Sequence, residues 1–280
     1  MIMELQELSR LAYDLRKDVV DMIVAGNGGH IGGDMSVMEI LVTLYFRQMN
    51  ISPENENDSD RDLFVMSKGH SVEAYYAVLA KKGFMDIEEI KETFSQFGSK
   101  YIGHPNNKLA GIEMNSGSLG HGLPVCVGMA LASKMDKREN RVYTVMGDGE
   151  LAEGSVWEAV MAGHQYHLDN LCAVVDRNRL QISGNTEEIM GHDDLHERFR
   201  SFGWHVIDVA DGNSIEQLCA AFDEARRTKG CPTVLIANTI KGKGSAVMEN
   251  KASWHHHVPS QEEYEQMIKD FMERKEALAV

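Results

Sequence analysis

Asp148 stands between Gly147 and Gly149 just after the apolar run VYTVM (142 to 146), and Asn178 stands thirty residues later, in DRNRL, just after the apolar run LCAVV (171 to 175). Carboxylate and amide oxygens are hard donors. One of each, with a backbone carbonyl a residue or two further on, makes an all-oxygen half-shell with too little charge and too few ligands to satisfy a divalent cation alone. A cation held this way keeps positions open for phosphate oxygens, and the flanking glycines let a bulky anion approach the backbone. Taken singly, each residue has a plainer reading, because Asp-Gly is also a hairpin signal and Asn often closes a turn. Their joint position at two successive strand ends favours a site.

Histidine supplies a second group of candidates. His30, His70 and His104 occur in three separate Gly-containing turns, GGH, KGH and IGH, and WHHHVP sets His255, His256 and His257 in a row. One histidine in a turn is ordinarily structural. Three at expected loop positions suggest a cluster that relays protons near neutral pH and hydrogen-bonds a ligand's hydroxyls. The three adjacent histidines are also compatible with an exposed tract.

The elements that must position these groups follow from periodicity. Leu5, Leu8, Leu11, Leu15, Val19, Met22 and Ile23 recur at threes and fours, which predicts an amphipathic helix stopped by Gly26. The Gly-rich turn GNGGHIGG follows, and Ser36 is expected to cap a second apolar helix running to about Gln48. SPENENDSDRD (52 to 62) reads as a surface loop, LFVMS as a short strand ending at SKGHS, and a helix is expected from about Val72. The stretch 100 to 122 is rich in Gly and Asn and too long to be an idle connection. A helix from Leu123 to Met135 comes next. From there strands at 142 to 146, 171 to 175, 205 to 210 and 233 to 238 alternate with helices at 154 to 167, about 193 to 201, and 214 to 227. Apolar β-branched runs alternating with amphipathic helices predict an α/β fold, a parallel sheet flanked by helices on both faces, and 280 residues make one large domain or two small ones. In such sheets ligands gather at the carboxyl ends of the strands, where Asp148 sits. Neighbouring strands lie roughly 4.8 Å apart, so Asp148 and Asn178 converge if their strands pair.

A net charge of −15 over 280 residues argues against a nucleic-acid or anionic-membrane binder, since both are polyanions. Any phosphate is expected to be met locally, by a metal or by backbone amides. Cys126, Cys172, Cys219 and Cys231 form no C-x-x-C pair and read as small buried thiols of a reducing compartment. Glu4 and Glu7 interrupt any apolar signal core, and no apolar run has the length of a membrane span, so a soluble cytoplasmic protein is expected.

The GDG motif followed by DRN resembles the thiamine diphosphate-binding fold, and GDGELAEGSVWEA resembles transketolase in particular. GGHIGG, SKGH, IGHP, SGSLGHG, GDGELAEG, DRNRLQISG and IKGKG stand in transketolase order over essentially the whole chain, which implies that residues 1 to 280 form a single diphosphate-binding domain. The resemblance implies thiamine diphosphate and Mg²⁺ (or Ca²⁺) as cofactors, with Asp148, Asn178 and the backbone carbonyl of Leu180 on the metal and Gly149 against the diphosphate. It implies further that Gly117 and Leu119 surround the cofactor's rings, and that His30, His70, His104 and His255 face the cofactor or donor ketose. His30, His104, His255 and Glu153 are then the catalytic candidates, and His70 and His255 also bind cofactor. Glu153 and Glu158 would lie near an interface between cofactor sites, although acidic residues in a helix's first turns are favoured by the dipole anyway.

Two positions depart from the family's pattern. His121 stands where Gln is common, and Arg177 replaces the first Asn of the usual pair. A complete transketolase is more than twice this length. The resemblance therefore implies a split enzyme whose second chain carries the pyrimidine-binding domain, assembled as a dimer of heterodimers and transferring a two-carbon ketol unit from a ketose to an aldose. The sugar stays open among pentose phosphate, apulose phosphate and sulfonated sugars. The alternatives are an α subunit of a thiamine-dependent 2-oxo-acid decarboxylase and a non-catalytic subunit that binds the cofactor.

Overall fold

The computed structural model describes residues 3–192 and 194–278. Five parallel strands form the central sheet: β1 (Leu63–Met66), β2 (Val142–Gly147), β3 (Leu171–Arg177), β6 (His205–Val209) and β7 (Thr233–Asn238). Their spatial order is β1-β2-β3-β7-β6, and two residue pairs, β4 (Leu180–Gln181) and β5 (Gly184–Asn185), make a small antiparallel hairpin beyond β3. β1, β2, β3 and β7 are buried on both faces, which is why their sequences read as continuous apolar runs, while the edge strand β6 leaves Asp208 exposed.

Side chains alternate between two cores. Phe64, Tyr143, Val145, Cys172, Val174 and Leu235 face a layer built mainly from α1 (Leu5–Gly26), α2 (Ile31–Thr43), α3 (Val72–Lys82), α9 (Ile215–Arg227) and α10 (Gln261–Ala277), with α4 (Ile87–Thr93) against α1. Val65, Met146, Ala173, Val175 and Ile236 face the other layer, of α5 (Gly122–Met135), α6 (Gly154–Gln165) and α8 (Leu195–Ser201). A single-turn helix, α7 (Thr186–Met190), follows the hairpin. The alternation rule thus yields the two-faced α/β sheet. No helix among the described residues is long and apolar enough to cross a membrane.

Several boundaries follow the sequence closely. α1 buries the predicted stripe and stops where Asn27 turns left-handed at φ 51°. Ser214 caps α9, and Ser260 forms a capping box with Glu263 at the head of α10. The helix expected at about 193 to 201 is α8, capped by Asp194; residue 193 lies outside the described residues.

One element starts earlier than expected. α2 begins at Ile31 with His30 as its N-cap residue, and every residue through Thr43 is buried. Ser36 is therefore no cap: its hydroxyl sits inside the helix, donating to Asp176 Oδ2 at 2.7 Å. Gly28 and Gly29 make the expected turn, but Gly32 and Gly33 are in the helix for space. A Cβ on Gly32 would lie 2.6 Å from the Trp254 carbonyl oxygen, and one on Gly33 2.8 Å from Ser71 Oγ. The cysteines are free; Cys126, Cys172 and Cys219 are buried and Cys231 is half-buried.

Candidate functional site

β2 and β3 are hydrogen-bonded neighbours, with Gly147 level with Asp176. Their ends therefore carry Asp148 and Asn178 to one place, the floor of a cavity of about 390 Å³. Asp148 Oδ1 accepts from Gly149 N at 2.9 Å and Oδ2 from Arg179 N at 2.6 Å. Asn178 Oδ1 accepts from Leu180 N at 3.1 Å, while its amide donates to Ser36 Oγ at 3.2 Å. Each of these side-chain oxygens keeps a free lone pair. Burial, reinforced by the charge of Asp176, pushes the Asp148 carboxyl up to about 6. A desolvated carboxylate beside an amide oxygen and the Leu180 carbonyl is a donor set that suits Mg²⁺ or Ca²⁺ and leaves phosphate positions open. Among the described residues no cluster of three or more His, Cys, Asp or Glu could hold a metal.

Two lysines complete the floor, and the sequence reading did not single them out. Lys68 and Lys241 are each 1% exposed. Lys68 Nζ bonds Asp176 Oδ2 at 2.5 Å and the Gly33 carbonyl at 3.1 Å. Lys241 Nζ bonds the Leu180 carbonyl and His255 Nδ1, both at 2.8 Å. Burial and the charge of Lys68 push Lys241 down to about 8, although Asp148 and Asp176 pull the other way. The sequence reading looks to a metal or backbone amides to meet any phosphate; two buried ammonium groups also face the cavity. SKGH and IKGKG carried them in plain view, but a lysine in a loop is ordinarily solvated.

Glu150, also unpredicted, braces the surrounding turns. Its Oε1 accepts from Gly120 N at 2.8 Å and from the Ser67 hydroxyl, and its Oε2 accepts from Gly147 N at 3.1 Å. One buried carboxylate thus ties together SGSLGHG, SKGH and GDG. Behind the metal-type loop, His192 Nε2 lies 2.9 Å from the Asp148 carbonyl oxygen.

The histidine turns converge from three directions. His30, His70 and His255 line the cavity together with Gly117, Leu119 and Gly149. The His30 ring lies 5.3 Å from that of His70, 5.6 Å from His255 and 4.9 Å from His256 between centroids. His104 is one layer back, 6.2 Å from His30, behind Gly117. Gly117 has φ +138°, and a Cβ there would meet His104 Cδ2 at 2.5 Å, so only glycine fits. Burial pushes His30 down to about 4 and His255 down to about 3, helped by Lys241 and neighbouring imidazoles; His70 and His104 are lowered as well. At pH 7 the rings are neutral, each with one nitrogen that can donate and one that can accept.

Of the WHHHVP tract, only His255 lines the cavity. His257 packs on Trp254 at 4.2 Å and pairs with Glu263. Glu153 lies outside the cavity as the residue before α6, its Cβ against Gly120, and Glu158 is exposed on that helix. His121 is exposed at the start of α5, 3.1 Å from the Leu119 carbonyl oxygen. Arg177 turns to Glu187 at 3.3 Å.

The chain matches the family model described as transketolase, thiamine diphosphate binding domain, over residues 8–277. It is 47% identical over 276 residues to one subunit of the apulose-4-phosphate transketolase of Phocaeicola vulgatus, covering 99% of this chain and 98% of that protein. It is 42% identical to a 6-deoxy-6-sulfo-D-fructose transketolase subunit of a Clostridium species, covering 89% of this chain and 90% of that one. Human transketolase is 40% identical over 253 residues, 90% of this chain, which spans 40% of that protein's length. The solved transketolase of Campylobacter jejuni superposes with a TM-score of 0.90 at 29% identity, covering 98% of this chain and 43% of that chain. With the family's cofactor domain matched almost end to end on a fold of the same topology, the chain belongs to the transketolase family, as its thiamine diphosphate-binding domain.

Proposed function

We propose that the cavity at the ends of β2 and β3 takes the diphosphate of thiamine diphosphate, and that this chain is the cofactor-anchoring subunit of a two-chain transketolase. One observation carries the reading. Lys68 and Lys241, both 1% exposed, and the desolvated Asp148 surround a single cavity in a chain whose net charge is −15. Burying charge is unfavourable without partners: Asp176 balances Lys68, but Lys241 has only a carbonyl and an imidazole and Asp148 only backbone N–H groups, and a diphosphate with its metal supplies a partner for each.

In this reading Asp148, Asn178 and the Leu180 carbonyl hold Mg²⁺ (or Ca²⁺), and Gly149, His70 and the two lysines meet phosphate oxygens. Leu119 and Gly117 flank the rings. When bound, the cofactor supplies the electron sink for moving a two-carbon ketol unit. His30, His104 and His255, as neutral imidazoles, orient the sugar's hydroxyls and pass protons at its reacting end, and Glu153 faces a second copy of the site. A partner chain carrying the pyrimidine-binding domain completes each site, in a dimer of heterodimers.

The names of two relatives, 47% and 40% identical over nearly the whole chain, make apulose 4-phosphate the first donor to assay, with the sulfonated fructose of a third relative as the comparison. Calorimetry of thiamine diphosphate with Mg²⁺, with and without Asp148→Ala, tests the site in the presence of the partner chain. Equal heats for the two proteins would overturn the reading, and so would ketol transfer that proceeds without this chain.

A further inference from the structure

Away from the cavity floor, two carboxyl groups face each other inside the protein. Asp34, in the first turn of α2, and Glu73, in the first turn of α3, are both fully buried. Their carboxyl groups lie close enough to share a hydrogen bond once one of them carries a proton. Asp34 Oδ1 accepts from Ala74 N at 3.1 Å, but Asp34 Oδ2 and both oxygens of Glu73 have no donor in bonding geometry. Three buried acceptors without a donor are costly. A proton between the carboxyls satisfies two of them.

No full counter-charge balances the pair. From the turn after β1, Lys68 acts on Asp34, but its ammonium is bonded to Asp176 and the Gly33 carbonyl. From α3 the neutral Tyr76 feels Glu73, and from the head of α2 comes the neutral His30, whose backbone N–H leans toward Glu73. From α1 the neighbour at this point is the apolar Ile23. Two carboxylates in contact in such surroundings do not both ionise. The single negative charge that remains lies at the N-termini of two helices, where it is favoured.

The pair also touches the site. A Cβ on Gly29 would lie 2.6 Å from Glu73 Oε1, so the backbone leading into His30 rests against the Glu73 carboxyl. On the other helix, Glu73 follows His70 by three residues, and Asp34 holds the adjoining turn through Ala74 N.

We infer that Asp34 and Glu73 form a singly protonated acid pair that clasps the first turns of α2 and α3 together and so positions His30 and His70 at the cavity. They are positioning residues, acting through the two histidine turns. The tie to catalysis rests on the role proposed for His30; the acid pair itself stands without it and is tested without cofactor.

The first measurement is the infrared spectrum of the full chain at pH 7, which should show the C=O stretch of a protonated carboxylic acid that Glu73→Gln abolishes. The second is thermal and urea unfolding from pH 5 to 8. Carboxyls in an unfolded chain titrate near pH 4. A proton retained in the folded pair above that pH is released on unfolding, so stability falls as pH rises, by up to about tenfold in the unfolding constant per pH unit and per retained proton. Glu73→Gln, with the shape of the protonated acid, should flatten that slope and match or exceed the unsubstituted chain in stability at pH 8, whereas Glu73→Ala should be less stable throughout. In ¹⁵N-histidine spectra the His30 signal should move in Glu73→Ala and return in Glu73→Gln. An acid band that persists in Glu73→Gln, or a pH slope the substitution leaves unchanged, overturns the inference. Should Glu73→Ala fail to fold, the band and slope of Glu73→Gln still decide.

Discussion

Glu150 offers the sharpest test of how the motif loops are held. Replacing it with alanine removes the acceptor for Gly120 N, Gly147 N and the Ser67 hydroxyl at a residue 2% exposed. The hydroxyl can rotate away, and Ser67 Oγ keeps the bond it accepts from Gly122 N at 3.2 Å. The two backbone N–H groups cannot. Each buried orphan costs about 1–3 kcal/mol, and the lost desolvation of the carboxylate, which burial has lifted above the usual glutamate range, returns part of this. The expected loss for Glu150→Ala is about 3–5 kcal/mol, a large share of the roughly 5–15 kcal/mol typical of a folded protein. Glu150→Gln keeps one accepting oxygen but turns an amide N–H₂ toward a backbone N–H, for about 1–3 kcal/mol. Urea unfolding followed by circular dichroism measures both, provided the m-values stay equal. A Glu150→Ala loss under about 1 kcal/mol, with Glu150→Gln at parity, would refute the claim that one carboxylate fastens three loops.

Other outcomes follow from separate features. Lys241→Met should weaken thiamine diphosphate binding at least about tenfold by calorimetry, while its unfolding free energy shifts by no more than about 1 kcal/mol, because the burial cost of the ammonium disappears with its bonds. Chelating divalent metal should abolish the thermal stabilisation that saturating cofactor gives, about 2.7 kcal/mol at a hundredfold excess over Kd, and adding Mg²⁺ should restore it. Gly117→Ala should lower cofactor affinity and displace the His104 resonances, since the new methyl collides with that ring. The buried Arg16–Glu39 pair, bonded at 2.6 and 2.7 Å, predicts a loss of about 3–5 kcal/mol for Glu39→Leu alone and a largely recovered stability for Arg16→Met with Glu39→Leu, read by thermal unfolding.

The sheet and its helices were legible because each strand is a short apolar run and each outer helix carries a stripe. Asp148 and Asn178 were legible for a related reason: strand ends are marked in the sequence, and the pairing of β2 with β3 does the rest. What escaped was set by tertiary packing. Gly32 and Gly33 read as a turn, although they lie inside α2 where other chain segments press close. Lys68, Lys241 and Glu150 stood in quoted motifs, yet their burial depends on loops that meet only in three dimensions. Asp34 and Glu73 look like ordinary acidic residues of a helix's first turn until the two turns are seen to face each other. The hairpin of β4 and β5 is too short for any periodicity to mark.

The place of β7 in the sheet has a bearing on biosynthesis. Emerging from the ribosome, the chain delivers β3 and β6 before the strand that must slot between them, so each waits with a bare hydrogen-bonding edge until Thr233–Asn238 arrives. Lys241 follows within three residues and His255 soon after. A molecule that stops short of β7 therefore offers sticky edges and half a pocket, and the cavity is walled in only once the segment through His255 has joined it.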